Sequence, residues 1–196
     1  MNYPESSPSK PRFIITGMAG SGKTTVGAML KDRGQHAYDG DYTFCLSGWY
    51  DGDGNELDVR PTNLSAQDHG AVSFMWDPKI LENCIYEAEN NPSIPRFVLT
   101  GIASNVLDIA KRFGFHVIYL YAKPEMLRER QWNRNDAVFE ITYDRPEDLS
   151  LHNRLSELVL RDMVEFGATV IDTTEAAPSE TATTIMTIIE RHQPMV

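Results

Sequence analysis

Cysteine is scarce in this chain, long apolar runs are missing, and positive charge is in short supply. The 196 residues include two cysteines, Cys45 and Cys84. They lie far apart, and no CxxC or Cys/His spacing suited to zinc accompanies them. That sets aside a disulfide framework and a structural zinc centre, and leaves two reduced thiols expected to be buried or half-buried. The five histidines form no ligand spacing either. No run of about 18 apolar residues occurs, so a membrane-spanning helix and a membrane partner are not expected. Lys and Arg number 18 against 28 Asp and Glu, for a formal charge of −10. Such a surface repels polyanions at long range, which argues against nucleic acid as a partner. Residues 1–11 hold three prolines and three serines with no apolar h-region. They read as a short disordered tail, not a secretory signal, and the expected compartment is the cytoplasm.

What is present is an alternation of short apolar runs and amphipathic stretches across residues 12–196, a length that suits one domain. Strands are expected at Phe13–Thr16, His36–Asp39, Phe97–Thr100, Phe115–Tyr121 and Ala168–Asp172. Helices are expected at Lys23–Arg33, Lys79–Asn90, Ser104–Phe113 (capped by Ser104), Pro124 to about Asn133, Asp148–Phe166 and Ser179–Arg191. In the long helix Leu151, Leu155, Leu158, Val159 and Met163 share one face. Residues from about 40 to 78 read as irregular. Within them Asp51-Gly52-Asp53-Gly54-Asn55 begins like a calcium loop. Glu56 then stands where that loop needs glycine, and Thr62 where it needs a bidentate glutamate, so the stretch reads as an Asp-Gly turn at a hairpin tip. Strands alternating with helices predict an α/β three-layer sandwich whose parallel sheet is covered on both faces. Ligands then sit at the carboxyl ends of the strands.

One of those ends carries the decisive segment. Gly17-Met18-Ala19-Gly20-Ser21-Gly22-Lys23-Thr24 satisfies G-x-x-x-x-G-K-[ST], after an apolar strand and before a helix. Glycines let successive backbone N–H groups curl inward onto phosphate oxygens, and the helix N-terminus adds partial positive charge. Gly17, Gly20, Ser21, Gly22 and Thr25 are therefore assigned to ATP phosphates, Lys23 to the β- and γ-phosphates, and Thr24 to Mg²⁺. A second end carries Asp39-Gly40-Asp41. Two carboxylates at i and i+2 can project to one side of a turn, where they can hold a Mg²⁺-bound water or take a proton from an acceptor hydroxyl.

In these residues the sequence resembles the small P-loop kinases, the group of nucleoside monophosphate, shikimate and gluconate kinases, from about Arg12 to Arg191. The resemblance implies a P-loop NTPase fold with five parallel strands ordered 2-3-1-4-5. It implies that Asp39 and Asp41 serve the acceptor hydroxyl, Asp41 also the metal. Arg130 and Arg134, four apart on one helix face, would open a lid over residues 133–147 and close on the transferring phosphate. Asp172, Thr173 and Thr174, in the turn after the fifth strand, would hold adenine. The sequence also departs from the group. Where monophosphate kinases carry Asp-Gly-x-Pro-Arg, it reads Thr100-Gly101-Ile102-Ala103-Ser104-Asn105. Thr100, Ser104 and Asn105 are thus available to hydrogen-bond a neutral acceptor, with Gly101 beside them.

Residues 42–78 take the place of the acceptor-binding region. They hold Phe44, Trp49, Tyr50, Phe74 and Trp76, and His69, but a single arginine, Arg60. A phosphorylated acceptor usually meets several Arg or Lys, so a sugar, nucleoside or amine-bearing acceptor is expected, touching Arg60 and Trp76. The expected activity is transfer of the ATP γ-phosphoryl group to a small-molecule hydroxyl, by a monomer or homodimer. The alternatives are a monophosphate kinase, and an ATPase or switch module acting on a protein partner.

Overall fold

In chain order the elements are β1 (Arg12–Thr16), α1 (Lys23–Asp32), β2 (Ala37–Asp39), β3 (Ser47–Asp51), β4 (Glu56–Leu57), β5 (Val72–Trp76), α2 (Pro78–Asn90), β6 (Phe97–Thr100), α3 (Val106–Phe113), β7 (His116–Tyr121), α4 (Pro124–Trp132), α5 (Pro146–Phe166), β8 (Thr169–Asp172) and α6 (Pro178–Arg191). The computed structural model describes residues 10–42, 45–58, 72–133 and 146–192, without the side chains of 146–149, 151 and 152. Most of the expected tail, Phe44, Arg60, His69, Arg134 and nearly all of the expected lid lie outside the described residues.

β1 shows how the layers arise. Its neighbouring side chains point to opposite faces, and the three central ones, Phe13, Ile14 and Ile15, are apolar, so both faces must be covered. Phe13 and Ile15 enter one core with Val98, Ile118 and Leu120, beneath Val26 and Leu30 of α1 and Ile185 and Ile189 of α6. Ile14 enters the other with Leu99, Val117 and Tyr119, beneath Leu81 and Ile85 of α2, Ile109 of α3 and Met163 of α5. The main sheet runs β2-β6-β1-β7-β8, every pairing parallel. Numbered among themselves, its five strands stand in the expected order 2-3-1-4-5.

Four local expectations change. The stretch from about 40 to 78, expected to be irregular, contains a second, antiparallel sheet ordered β4-β3-β5. Gly48 and the acidic residues break up the alternation in β3, and its longer pairing, to β5, is non-local. The Asp-Gly stretch is indeed the tip of the β3–β4 hairpin. Ser104 does not cap α3: its N–H and hydroxyl both go to the carbonyl of Phe74, at 2.8 and 3.1 Å. On α5, Met163 is buried but Leu158 is exposed. Of the two thiols expected to be buried or half-buried, Cys84 is buried but Cys45 is exposed.

Candidate active site

Between the end of β1 and the start of α1 the chain turns through Gly17–Gly22. Gly20 and Gly22 hold φ of 84° and 96°, a left-handed backbone that favours glycine. A Cβ on Gly20 would lie 2.6 Å from the Leu127 carbonyl, and one on Gly17 would lie 2.4 Å from that of Leu120. The loop is therefore pressed against α4 and the end of β7. α1 begins without a side-chain cap, so its partial positive charge is directed at the loop. Ser21 Oγ is buried with no hydrogen-bond partner. Lys23, 8% exposed, donates to the carbonyls of Gly17 and Met18 at 2.8 and 3.0 Å. Thr24 is exposed and Thr25 half-buried. An orphaned hydroxyl, an uncapped helix start and a glycine cradle fit a phosphate chain. Among the described residues no three His, Cys, Asp or Glu gather into a metal cage. The residues present suit a Mg²⁺ ion shared with nucleotide phosphates, which needs only one or two protein oxygens such as Thr24 and Asp41.

α4 joins this loop to the turn after β8. Gln131 Nε2 donates to Ala19 O at 2.7 Å. Arg130 donates to the carbonyls of Thr173 and Thr174 at 2.6 and 3.1 Å. Thr173, 3% exposed, bonds Tyr121 O at 2.9 Å and Ser21 O at 3.4 Å through its hydroxyl. Asp172 accepts from Thr174 N at 2.8 Å, and its hydrogen bonding to Thr174 holds its carboxyl below the usual range. An open depression of about 450 Å³ lies over Lys123, Asp172, Thr174, Glu175 and Ala176. The expected adenine-side turn is thus physically tied to the phosphate loop. Arg130, expected on a lid, holds that turn instead. Gln131 was not singled out in the sequence, and its partner 112 residues away leaves no local signal.

The carboxylate pair lies at the end of β2. Asp39 Oδ1 accepts from Asp41 N at 3.0 Å, and Asp41 Oδ1 accepts from Ile102 N at 3.0 Å. Burial pushes the Asp41 carboxyl up to about 6. The Ile102 bond and the nearby Lys23 charge pull it down, and Asp39 pushes it further up. Lys23 and Asp41 therefore share one electrostatic environment. Gly101 makes this possible, since a Cβ there would come within 2.5 Å of Asp41 Oδ1. Trp76 is 1% exposed, and its ring lies against Gly40 and Gly101. Its indole N–H faces Asp41 closely enough to favour the charged carboxylate, without closing a hydrogen bond of normal geometry.

The other expected acceptor contacts are engaged elsewhere. Asn105 bonds both backbone groups of Trp76, accepting at 3.1 Å and donating at 2.9 Å. Thr100 Oγ1 donates to Tyr38 O at 3.2 Å. With Ser104 on Phe74, all three polar side chains hydrogen-bond neighbouring backbone.

The glycine cradle, the uncapped helix and the strand order together define a P-loop NTPase fold of the kinase type. Solved structures agree. A shikimate kinase from Acinetobacter baumannii, in complex with shikimate, matches with a TM-score of 0.53 and 18% identity over 96% of this chain and 97% of that one. A gluconokinase from Sinorhizobium meliloti 1021 matches with a TM-score of 0.51 and 16% identity over 94% of each chain. At these identities the likeness is one of fold. No protein-family model matches the sequence, and no curated protein matches it significantly.

Proposed function

We propose that this protein is an ATP-dependent phosphotransferase acting on a hydroxyl of a small molecule. The observation that carries this reading is a half-buried carboxylate, Asp41, raised to about 6 and placed within electrostatic reach of the phosphate-loop lysine, Lys23. A nucleotide-binding loop alone gives no acceptor. A poised carboxylate beside it supplies the group that an acceptor hydroxyl needs.

In this reading the N–H groups of the loop and Lys23 hold the ATP phosphates. The acceptor oxygen attacks the γ-phosphorus, the bond to the ADP oxygen breaks, and the hydroxyl proton passes to Asp41. Mg²⁺ near Thr24 and Asp41 would neutralise phosphate charge. Asp39 fixes the Asp41 backbone through its bond to that N–H. Arg130 and Thr173 hold the turn assigned to adenine against the loop. Arg60 and Arg134 keep their proposed roles, on the acceptor and on the transferring phosphate.

The test is ADP release from Mg-ATP with a panel of sugars, nucleosides, amines and monophosphates, run beside Lys23→Ala. Acceptor-stimulated release that disappears in the variant supports a kinase. Uniform slow hydrolysis across the panel would overturn it in favour of an ATPase or switch.

A further inference from the structure

The antiparallel sheet bears on what the acceptor is. Residues directly opposite in two strands share a face, and β3 pairs with β5 as Ser47 to Trp76 and Trp49 to Phe74. Ser47 and Trp76 identify where this face points. Ser47 Oγ donates to Asp41 O at 3.0 Å, and the Trp76 ring packs on Gly40 and Gly101, against the Asp41 carboxylate. Trp49 and Phe74 are one pair further along the same face. Both are half-buried, and their rings lie 5.2 Å apart at 53°. An aromatic wall therefore continues from the carboxylate pair.

The sequence of this region is strongly acidic. Between residues 37 and 78 the sequence has eight Asp or Glu and one Lys or Arg, Arg60. Among the described residues of that stretch there is no Lys or Arg at all. The buried Trp76 indole N–H, without a normal hydrogen bond, faces Asp41 beside the Ile102 N–H that the carboxylate accepts. A carboxylate or phosphate on the acceptor would meet repulsion here, with little guanidinium to offset it. A cation meets carboxylates and the faces of aromatic rings, the two groups that attract it.

We propose, on the basis of the phosphotransferase reading, that the acceptor is an amine-bearing hydroxyl compound. Its ammonium is held by Asp39 and the Trp49–Phe74 face while its hydroxyl meets Asp41. Asp39 suits that part, because only one of its oxygens is used by the Asp41 N–H.

The experiment compares three sets of compounds matched in size: amino sugars and amino alcohols such as glucosamine, their N-acetyl derivatives, and carboxylates such as gluconate. Acceptor-stimulated ADP release is measured at pH 7 with Mg-ATP. The expected result is that kcat/KM falls by about tenfold or more on N-acetylation and further for the carboxylates. Asp39→Asn, which keeps the acceptor for the Asp41 N–H, should raise KM for the amine and erase the preference. Trp49→Leu should weaken the same preference. Equal or better use of acetylated or carboxylate acceptors, still dependent on Lys23, would overturn the amine and leave the kinase reading standing. No acceptor-stimulated release in any set would overturn both.

Discussion

The carboxylate of Asp41 and the backbone N–H of Ile102 meet at 3.0 Å, although 61 residues separate them in the chain. The bond ties the end of β2 to the loop after β6, and it fixes a charged group where water has little access. Folding therefore places a strained demand on Asp41. Its carboxyl rises from an ordinary 3.8 to about 6, mainly through burial. A carboxyl raised on folding favours the native state fully below its unfolded value, and that contribution is lost as pH rises through the folded value. At neutral pH the charged form is a cost that function retains.

Asp41→Asn keeps an oxygen for Ile102 and removes the charge. The variant is expected to be more stable than the parent at pH 7–8, by roughly 1–3 kcal/mol. The gain should shrink between about pH 6 and pH 4 and vanish below. Acceptor phosphorylation should drop roughly 100- to 10,000-fold in the same variant. Urea unfolding across pH, with turnover measured in parallel, checks both. Lower stability at pH 8 would show that the carboxylate is stabilised by partners rather than held at a cost.

The pH profile of kcat/KM follows from the same group. Asp41 must be ionised to accept the hydroxyl proton, so the acidic limb should bend near pH 6 with unit slope. Residual turnover in Asp41→Asn should lack that limb. A limb of the same midpoint in the variant would assign it to another group.

Much of this was legible in the sequence, for reasons of range. The phosphate loop is eight consecutive residues, and Asp39-Gly40-Asp41 is three, so each is complete within one window. β6 was delimited residue for residue because Phe-Val-Leu-Thr is a short apolar run between turn signals. The arrangements that were not legible are those built across long separations. Ile102 on Asp41, Gln131 on Ala19 and Asn105 on Trp76 each join distant segments. Ser104 and Asn105 illustrate the ambiguity. The same hydroxyl or amide can serve a ligand or a neighbouring strand, and only the packing of β5 on that loop decides for the strand. The aromatic character of Trp76 points to an acceptor contact, whereas its burial against two glycines makes it a support beneath the site.

Two glycines of the loop separate strain from collision. Gly22→Ala puts a side chain at φ 96° with nothing within 4 Å, so its cost is backbone strain alone, about 1–2 kcal/mol. Gly20→Ala adds to a similar strain a Cβ only 2.6 Å from the Leu127 carbonyl. It should therefore cost about 1–3 kcal/mol more, and it should displace α4 from the loop. Denaturant midpoints measure the difference. Equal losses would mean that α4 yields freely at Leu127.

Gln131 tests whether α4 positions the phosphate loop or merely touches it. Its amide donates to Ala19 O at 2.7 Å, on the helix that also carries Arg130 to the turn after β8. Gln131→Leu keeps the bulk and removes the donor, leaving the Ala19 carbonyl unpaired. A net loss of about 1 kcal/mol in stability is expected from the bond itself. If the bond also sets the loop for phosphate, KM for ATP should rise several-fold while KM for the acceptor stays level. Gln131→Glu is the sharper variant. Its carboxylate would face a carbonyl oxygen and add negative charge beside the phosphate cradle, so its ATP KM should exceed that of the leucine variant, and added salt should narrow the gap. Unchanged ATP KM in both variants, with the stability loss still present, would reduce Gln131 to a packing contact and leave the glycine geometry alone to hold the loop.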